Sequence, residues 1–376
     1  MTFDDDDSSS SDGSVTDSTT TDDSSSDESS PDDSSSDSSS SDSSSDGSSD
    51  GNSASSSSSQ SAIGGWSDAV AGGWNSGERS VGDVRRIPLQ GLTNVNQSPA
   101  PNPATTESAA ARAILCVPTA LSTDNGIEVL LHLHGFNIGY RQRVASSLPD
   151  AGTVRDVLLD QIEDQIQSSG RPMIAILPQG TLTSGFSGST PFNCNTFISE
   201  ALGAAVSAGV WSSVPSISRV VLSAHSGGGG FVAVLASESG QPRLPSPIAA
   251  LFLFEAINGS NELASETAFV TSKLNADLQS LNGLSSPSDQ LAYLKTSFRF
   301  RGIYNTQDDF YAGNYAAIKG TIASFFARNA ATLGGTGSDT YKTFAANYVV
   351  VTPSPFVAHD GIVGQGNLAQ ALAMLS

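Results

Sequence analysis

The sequence predicts an α/β fold: a mainly parallel, doubly wound sheet with helices on both faces, preceded by a disordered Ser/Asp-rich tail. Three observations carry this. From Ala109 onward, short runs of Val, Ile, Leu and Phe alternate with segments of helical periodicity. Those runs are apolar throughout, as strands covered on both faces are, and do not alternate as half-exposed strands do. Residues 1–60, by contrast, are almost wholly Ser, Asp and Thr, with too little apolar surface to offset the entropy of ordering.

The elements follow in order. ARAILCVPT, from Ala111, and IEVLLHLHG, from Ile127, read as strands. TVRDVLLDQIEDQIQSSG places Val154, Leu158, Ile162 and Ile166 at helical spacing and closes on Gly170. PMIAILPQG is a strand, NTFISEALGAAVSAGVW a helix, SRVVLSAHS a strand, GGGFVAVLASES a helix and PIAALFLFEAING a strand. A Leu- and Ala-rich helical stretch leads to the strands SFRFRGIYN and NYVVVTPS, and NLAQALAMLS closes the chain as a helix. The organisation expected is a tail over 1–60, a Gly/Pro-rich connector over 61–108 carrying Trp66 and Trp74 as surface anchors, and one domain over 109–376.

Charge narrows the partners. The chain holds 17 basic and 38 acidic residues, a net of −21. Sixteen acids lie between Asp4 and Asp50 and no Lys or Arg precedes Arg79, so the remainder sets 17 basic against 22 acidic residues, a balance of −5. With no Lys/Arg stripe to displace counterions, a nucleic-acid partner is disfavoured. No apolar run approaches the roughly 20 residues that span a bilayer. MTFDDDD has neither a basic n-region nor an apolar h-region, so it does not read as a signal peptide, yet a Ser/Asp spacer suits an exported domain held away from its anchor, and export is favoured over a cytoplasmic location. Cys116 reads as a buried hydrophobe and Cys194 as a loop residue; spacing leaves a bridge between them open.

In a doubly wound sheet chemistry gathers at the carboxyl ends of the strands, so the polar residues that end strands matter most. RVVLSAHSGGGGF passes from strand to glycine-rich turn to helix, which lifts the Ser226 hydroxyl clear of the sheet. Phosphate cradling lacks support, because no Gly-Lys-Ser/Thr and no GxGxxG is present there. AHSGG matches a nucleophile elbow, with Ala224 where glycine is commoner. His134 and Gly135 end LLHLHG, and His134 reads as a loop-orienting residue, while His132 is a packed core histidine. Of the four histidines, His225 abuts Ser226 and is expected to turn away from it, so elimination leaves His359, in the loop PFVAHDGIVGQG, as general base. For the acid that orients it, Glu255 at the end of AALFLF is preferred over Asp308 or Asp309 in the turn-like NTQDD, because a lone acid capping a buried strand is hard to explain by solvation; the choice stays open.

With HGF at 134–136, AHSGG at 224–228, the acids and AHDG at 358–361 in the order Ser, acid, His, the chain from about Ala109 to Ser376 resembles the esterase- and lipase-like serine hydrolases of the α/β-hydrolase fold. The resemblance implies an acyl-enzyme on Ser226, an oxyanion hole from the backbone N–H groups of Phe136 and Gly227, and hydrolysis by water with no metal or organic cofactor. The partner it implies is a small-molecule or polymeric ester. A serine peptidase or amidase, a polyester depolymerase and a non-catalytic module that keeps the fold are the alternatives. The polar segment 180–197 is expected to wall the substrate pocket, and Asn258 to Ser288 to form any lid.

Overall fold

The computed structural model describes residues 79–81, 84–95, 111–136, 160–178, 180, 184–188, 190–237, 243–353 and 357–375. The Ser/Asp tail, Trp66, Trp74 and the first part of the helix predicted from Thr153 lie outside them. Nine strands form one sheet: β1 (Arg79–Val81), β2 (Val84–Gln90), β3 (Ala111–Pro118), β4 (Ile127–Leu133), β5 (Met173–Pro178), β6 (Ile217–His225), β7 (Ile248–Phe254), β8 (Arg299–Ile303) and β9 (Tyr348–Val351). Their order is β1-β2-β3-β5-β4-β6-β7-β8-β9. The pairs β1/β2, β2/β3 and β3/β5 are antiparallel, and every pair from β5/β4 to β8/β9 is parallel.

Eight helices accompany the strands among the described residues: α1 (Ile162–Ser168), α2 (Cys194–Ser207), α3 (Gly228–Ser237), α4 (Ser260–Asn282), α5 (Pro287–Leu294), α6 (Asp309–Asn329), α7 (Asp339–Ala346) and α8 (Asn367–Ala373). Several open on side-chain caps: Asn193 accepts from the Thr196 N–H, Ser286 from Asp289 with Pro287 following, and Ser338 from Tyr341. Successive residues of β4 feed opposite faces. Val129, Leu131 and Leu133 join a core with Phe197 of α2, Leu274 of α4 and Ile318 of α6, while Leu130 joins a second core with Ile166 of α1 and Leu372 of α8. This two-sided covering is why the strands read as unbroken apolar runs. No helix among the described residues is long and apolar enough to cross a membrane.

Three expectations need correcting. The sheet begins within the presumed connector, since β1 and β2 lie in 61–108 and β2 pairs with β3. Val84, Ile87 and Leu89 are buried, but Pro88 and the Arg85-Arg86 pair disguise the strand, because proline normally argues against an interior strand. Cys116 and Cys194 are buried thiols that form no disulfide and are divided between the two cores, and Cys194 opens α2 instead of lying in a polar loop. The presumed lid is α4, a 23-residue helix that buries Val270, Leu274 and Leu281 in the core.

Candidate active site

Chain direction across the sheet reverses around β4: β5 lies on one side of it and β6 on the other. Such a switch point leaves a crevice at the strands' carboxyl ends, where a doubly wound sheet takes its ligands. Ser226 lies there, between the last residue of β6 and the start of α3, with φ of 49°, a left-handed conformation that serine rarely adopts. Its N–H donates to the Phe254 carbonyl at 3.0 Å, and its own carbonyl accepts from Gly229 N at 2.9 Å and Asn258 Nδ2 at 3.0 Å. The turn needs its glycines for room. A Cβ on Gly228 would lie 2.5 Å from the Leu133 carbonyl oxygen, and one on Gly229 only 1.6 Å from that of Ala256. The loop after β4 presses from the other side, with a Gly135 Cβ falling 2.9 Å from that of Ser226.

Glu255 follows β7 with φ of 44° and is wholly buried. Both its oxygens are engaged: Oε1 accepts the Asn305 N–H at 2.7 Å, and Oε2 lies 2.6 Å from His359 Nδ1. A buried carboxylate requires such partners. His359 opens a short 3₁₀ turn, His359–Gly361, and its side chain is partly open to solvent. With Nδ1 donating to Glu255, Nε2 is left as the bare acceptor. Asp308, the competing acid, instead caps α6 by accepting the Phe310 N–H at 3.0 Å, and Asp309 lies in the first turn of that helix. The fold therefore joins His359 directly to Glu255, links both to Ser226 through the Tyr311 hydroxyl, and leaves the Asp pair at a helix start.

The other histidines are fixed in the interior. His134 donates from Nδ1 to the Gly135 carbonyl at 2.8 Å and accepts the Gly180 N–H on Nε2 at 3.0 Å, a pattern only the neutral ring can make. Burial lowers its pKa to about 4. His132 is buried with Nδ1 2.7 Å from Ser223 Oγ. His225 makes no hydrogen bond with Ser226 among the described residues. Its ring lies 4.9 Å from that of His359, and its Nε2–H donates to the His359 carbonyl at 3.0 Å. Burial lowers its pKa as well, to about 4, so it remains a neutral donor.

Two further residues at the site escape sequence reading. The Tyr311 ring stacks on the His359 imidazole, with centroids 5.0 Å apart and planes 10° from parallel, and its hydroxyl lies 3.4 Å from Nε2. Burial raises its pKa to about 12, against a hydrogen bond with Ser226 that acts to lower it, so the phenol stays protonated. Asn258 ties the Ser226 carbonyl to Glu262 Oε2, 3.0 Å from its Nδ2. Nothing near either residue advertises it: Tyr311 sits third in an ordinary helix and Asn258 in a short turn. The Phe136 ring is 56% exposed and lies against Gly227, where a Cβ would fall 2.2 Å from its Cδ1. The segment 180–197, expected to be a polar wall, is anchored by buried Phe186 and Phe192, with Phe186 4.8 Å from the His134 ring.

No family model matches this chain. No curated protein sequence matches it either. Solved structures that resemble it include the feruloyl esterase module from Clostridium thermocellum in complex with sinapinate, at 10% identity over 78% of this chain and 87% of that one, with a TM-score of 0.35. The siderophore hydrolase EstB from Aspergillus nidulans is 12% identical over 78% of this chain and 95% of its own, also at 0.35. Brefeldin A esterase, a bacterial homologue of human hormone-sensitive lipase, is 12% identical over 84% and 81%, again at 0.35. Likenesses at this level decide nothing about chemistry. The sheet itself, parallel from β5 to β9 with Ser226 on a strand–turn–helix at the switch point, is the arrangement of the α/β-hydrolase fold.

Proposed function

We propose that this domain is a serine hydrolase that cleaves a carboxylic ester through an acyl-enzyme on Ser226. The observation that carries the reading is the 2.6 Å contact between His359 Nδ1 and the buried Glu255 carboxylate, beside a serine held at positive φ. The carboxylate holds the proton on Nδ1 and stabilises the imidazolium that forms, so Nε2 serves as the base. As Ser226 Oγ attacks the ester carbonyl, its proton passes to Nε2 and the carbonyl oxygen takes up negative charge. The N–H groups of Gly227 and Phe136 receive that charge in the oxyanion hole. The tetrahedral intermediate expels the alcohol, which leaves with the proton from His359. Water, deprotonated by the same imidazole, then attacks the acyl-serine and releases the acid. Tyr311 and His225 hold the ring and its loop in place while the proton moves.

A fluorophosphonate probe tests this directly. The wild-type chain is expected to be labelled at Ser226 and to hydrolyse a short-chain p-nitrophenyl ester, while Ser226→Ala loses both activities. A folded wild-type protein that neither labels nor turns over esters would remove the reading. Matched ester and amide substrates then separate an esterase from an amidase on the same residues.

A further inference from the structure

We infer that the Ser184 hydroxyl is a third donor to the oxyanion, beside the N–H groups of Gly227 and Phe136; the inference rests on the serine-hydrolase reading above. Five non-glycine residues have left-handed φ among the described residues. Gln161 and Gln365 are joined to each other by a hydrogen bond away from Ser226, and two of the rest are Ser226 and Glu255. The fifth is Ser184, at φ of 56°. It is only 3% exposed, and its Oγ finds no hydrogen-bond partner among the described residues. That oxygen points at the turn after Ser226, since a Cβ on Gly227 would lie 2.9 Å from it.

A strained backbone, a buried hydroxyl without an acceptor among the described residues and proximity to the nucleophile's neighbour make a combination that folding alone disfavours. Glycine would relieve both the conformation and the unpaired group. A neutral donor with no internal acceptor suits a charge that exists only in the transition state, because it needs no reorganisation when the charge appears. The segment that carries it is held firmly, by Phe186 packed 4.8 Å from the His134 ring and 5.1 Å from that of Phe231. The exposed Phe136 ring meets the same point on Gly227. The role requires that ring to turn outward as the substrate carbonyl enters. Ser184 keeps its proton throughout and contributes only a hydrogen bond.

The test compares Ser184→Ala, Ser184→Gly and Ser184→Thr in the full chain, using a p-nitrophenyl ester and a trifluoromethyl ketone that mimics the oxyanion. The expected result for Ala and Gly is a fall in kcat of about 10²–10³ with KM nearly unchanged, as for other single oxyanion donors. The ketone should weaken by a similar factor, Thr should recover part of the rate, and Ser184→Gly should melt at a higher temperature than wild type. Wild-type kcat in both Ala and Gly overturns the inference. So does loss in Ala with full activity in Gly, which would mean that only the backbone shape matters, and so does a lowered melting temperature in Gly, which would reveal a structural partner. If wild type itself neither labels at Ser226 nor hydrolyses esters, the parent reading fails and this role falls with it; an active wild type with indifferent variants overturns the Ser184 role alone.

Discussion

The two ends of the sheet use polar residues in opposite ways. At the amino end, Glu128 of β4 is gripped by both Nε and an Nη of Arg171, with Arg219 3.6 Å away. Arg299, at the start of β8, directs its guanidinium to the carbonyls of Met374, Ser297 and Lys295. Asp277 takes hydroxyls from Tyr293 and Tyr348, each at 2.6 Å. Every one of these groups is committed to holding loops and helices to the strands. At the carboxyl end, Ser226, Glu255 and Ser184 sit at positive φ, and Ser184 Oγ and His225 Nδ1 lack hydrogen-bond partners among the described residues. The difference sets saturated polar ties at the amino end against strained backbone and unused hydrogen-bonding capacity around Ser226, where chemistry is proposed.

Breaking the contrast at its most sensitive point gives the largest effect. Glu255→Gln should lower kcat for ester hydrolysis by about 10⁴, because the amide no longer holds the proton on Nδ1 or stabilises the imidazolium; steady-state kinetics with circular dichroism to verify folding would show it. Removing a tie at the amino end should act on stability instead. Arg171→Ala leaves the nearly buried Glu128 carboxylate with only the more distant Arg219, a loss on the order of 3 kcal/mol by urea unfolding, with kcat within about two-fold of wild type. A large drop in kcat there would show that the two ends are not separable.

Acid sharpens the comparison from another side. His134 and His225 have folded pKa values of about 4, below the usual 6.5, because burial disfavours their charged forms. The unfolded chain therefore binds more protons below pH 6.5, so the stability these two groups contribute is complete above that pH and is lost as pH falls toward 4. The loss amounts to roughly 3 kcal/mol for each ring. Unfolding measured at intervals from pH 7 to pH 4 should show this slope, and His225→Asn should reduce it; an unchanged slope would mean that these rings are not buried neutral. The smallest effect belongs to Asp308→Asn, since asparagine still caps α6 and the change should stay within about 0.5 kcal/mol with kcat intact. A larger kinetic loss for Asp308→Asn than for Glu255→Gln would move the acid to the loop after β8.

Most strands were legible because burial on both faces writes itself as uninterrupted Val, Ile, Leu and Phe. β2 was not, because Pro88 and two arginines interrupt its pattern, and it is identifiable only from its pairing with β3. Ser226 was legible from the small residues its turn demands. His359 and Glu255 were legible only as strand-ending polar residues, and the choice among the acids stayed open because sequence spacing carries no distance. The role of α4 was misjudged, since a segment between strands reads alike whether it covers a site or packs into the core.

By itself, the sequence determined the alternation of strand and helix, the two-sided burial of the sheet and the glycine-rich turn at Ser226, all local consequences of side-chain size and apolarity. Only the tertiary structure decided which carboxylate meets His359, that Tyr311 and His225 lie against its ring, and that Ser184 faces Gly227. Those contacts join residues 40 to more than 100 positions apart, and they arise from how strands of different registers end at one rim, which no local pattern encodes.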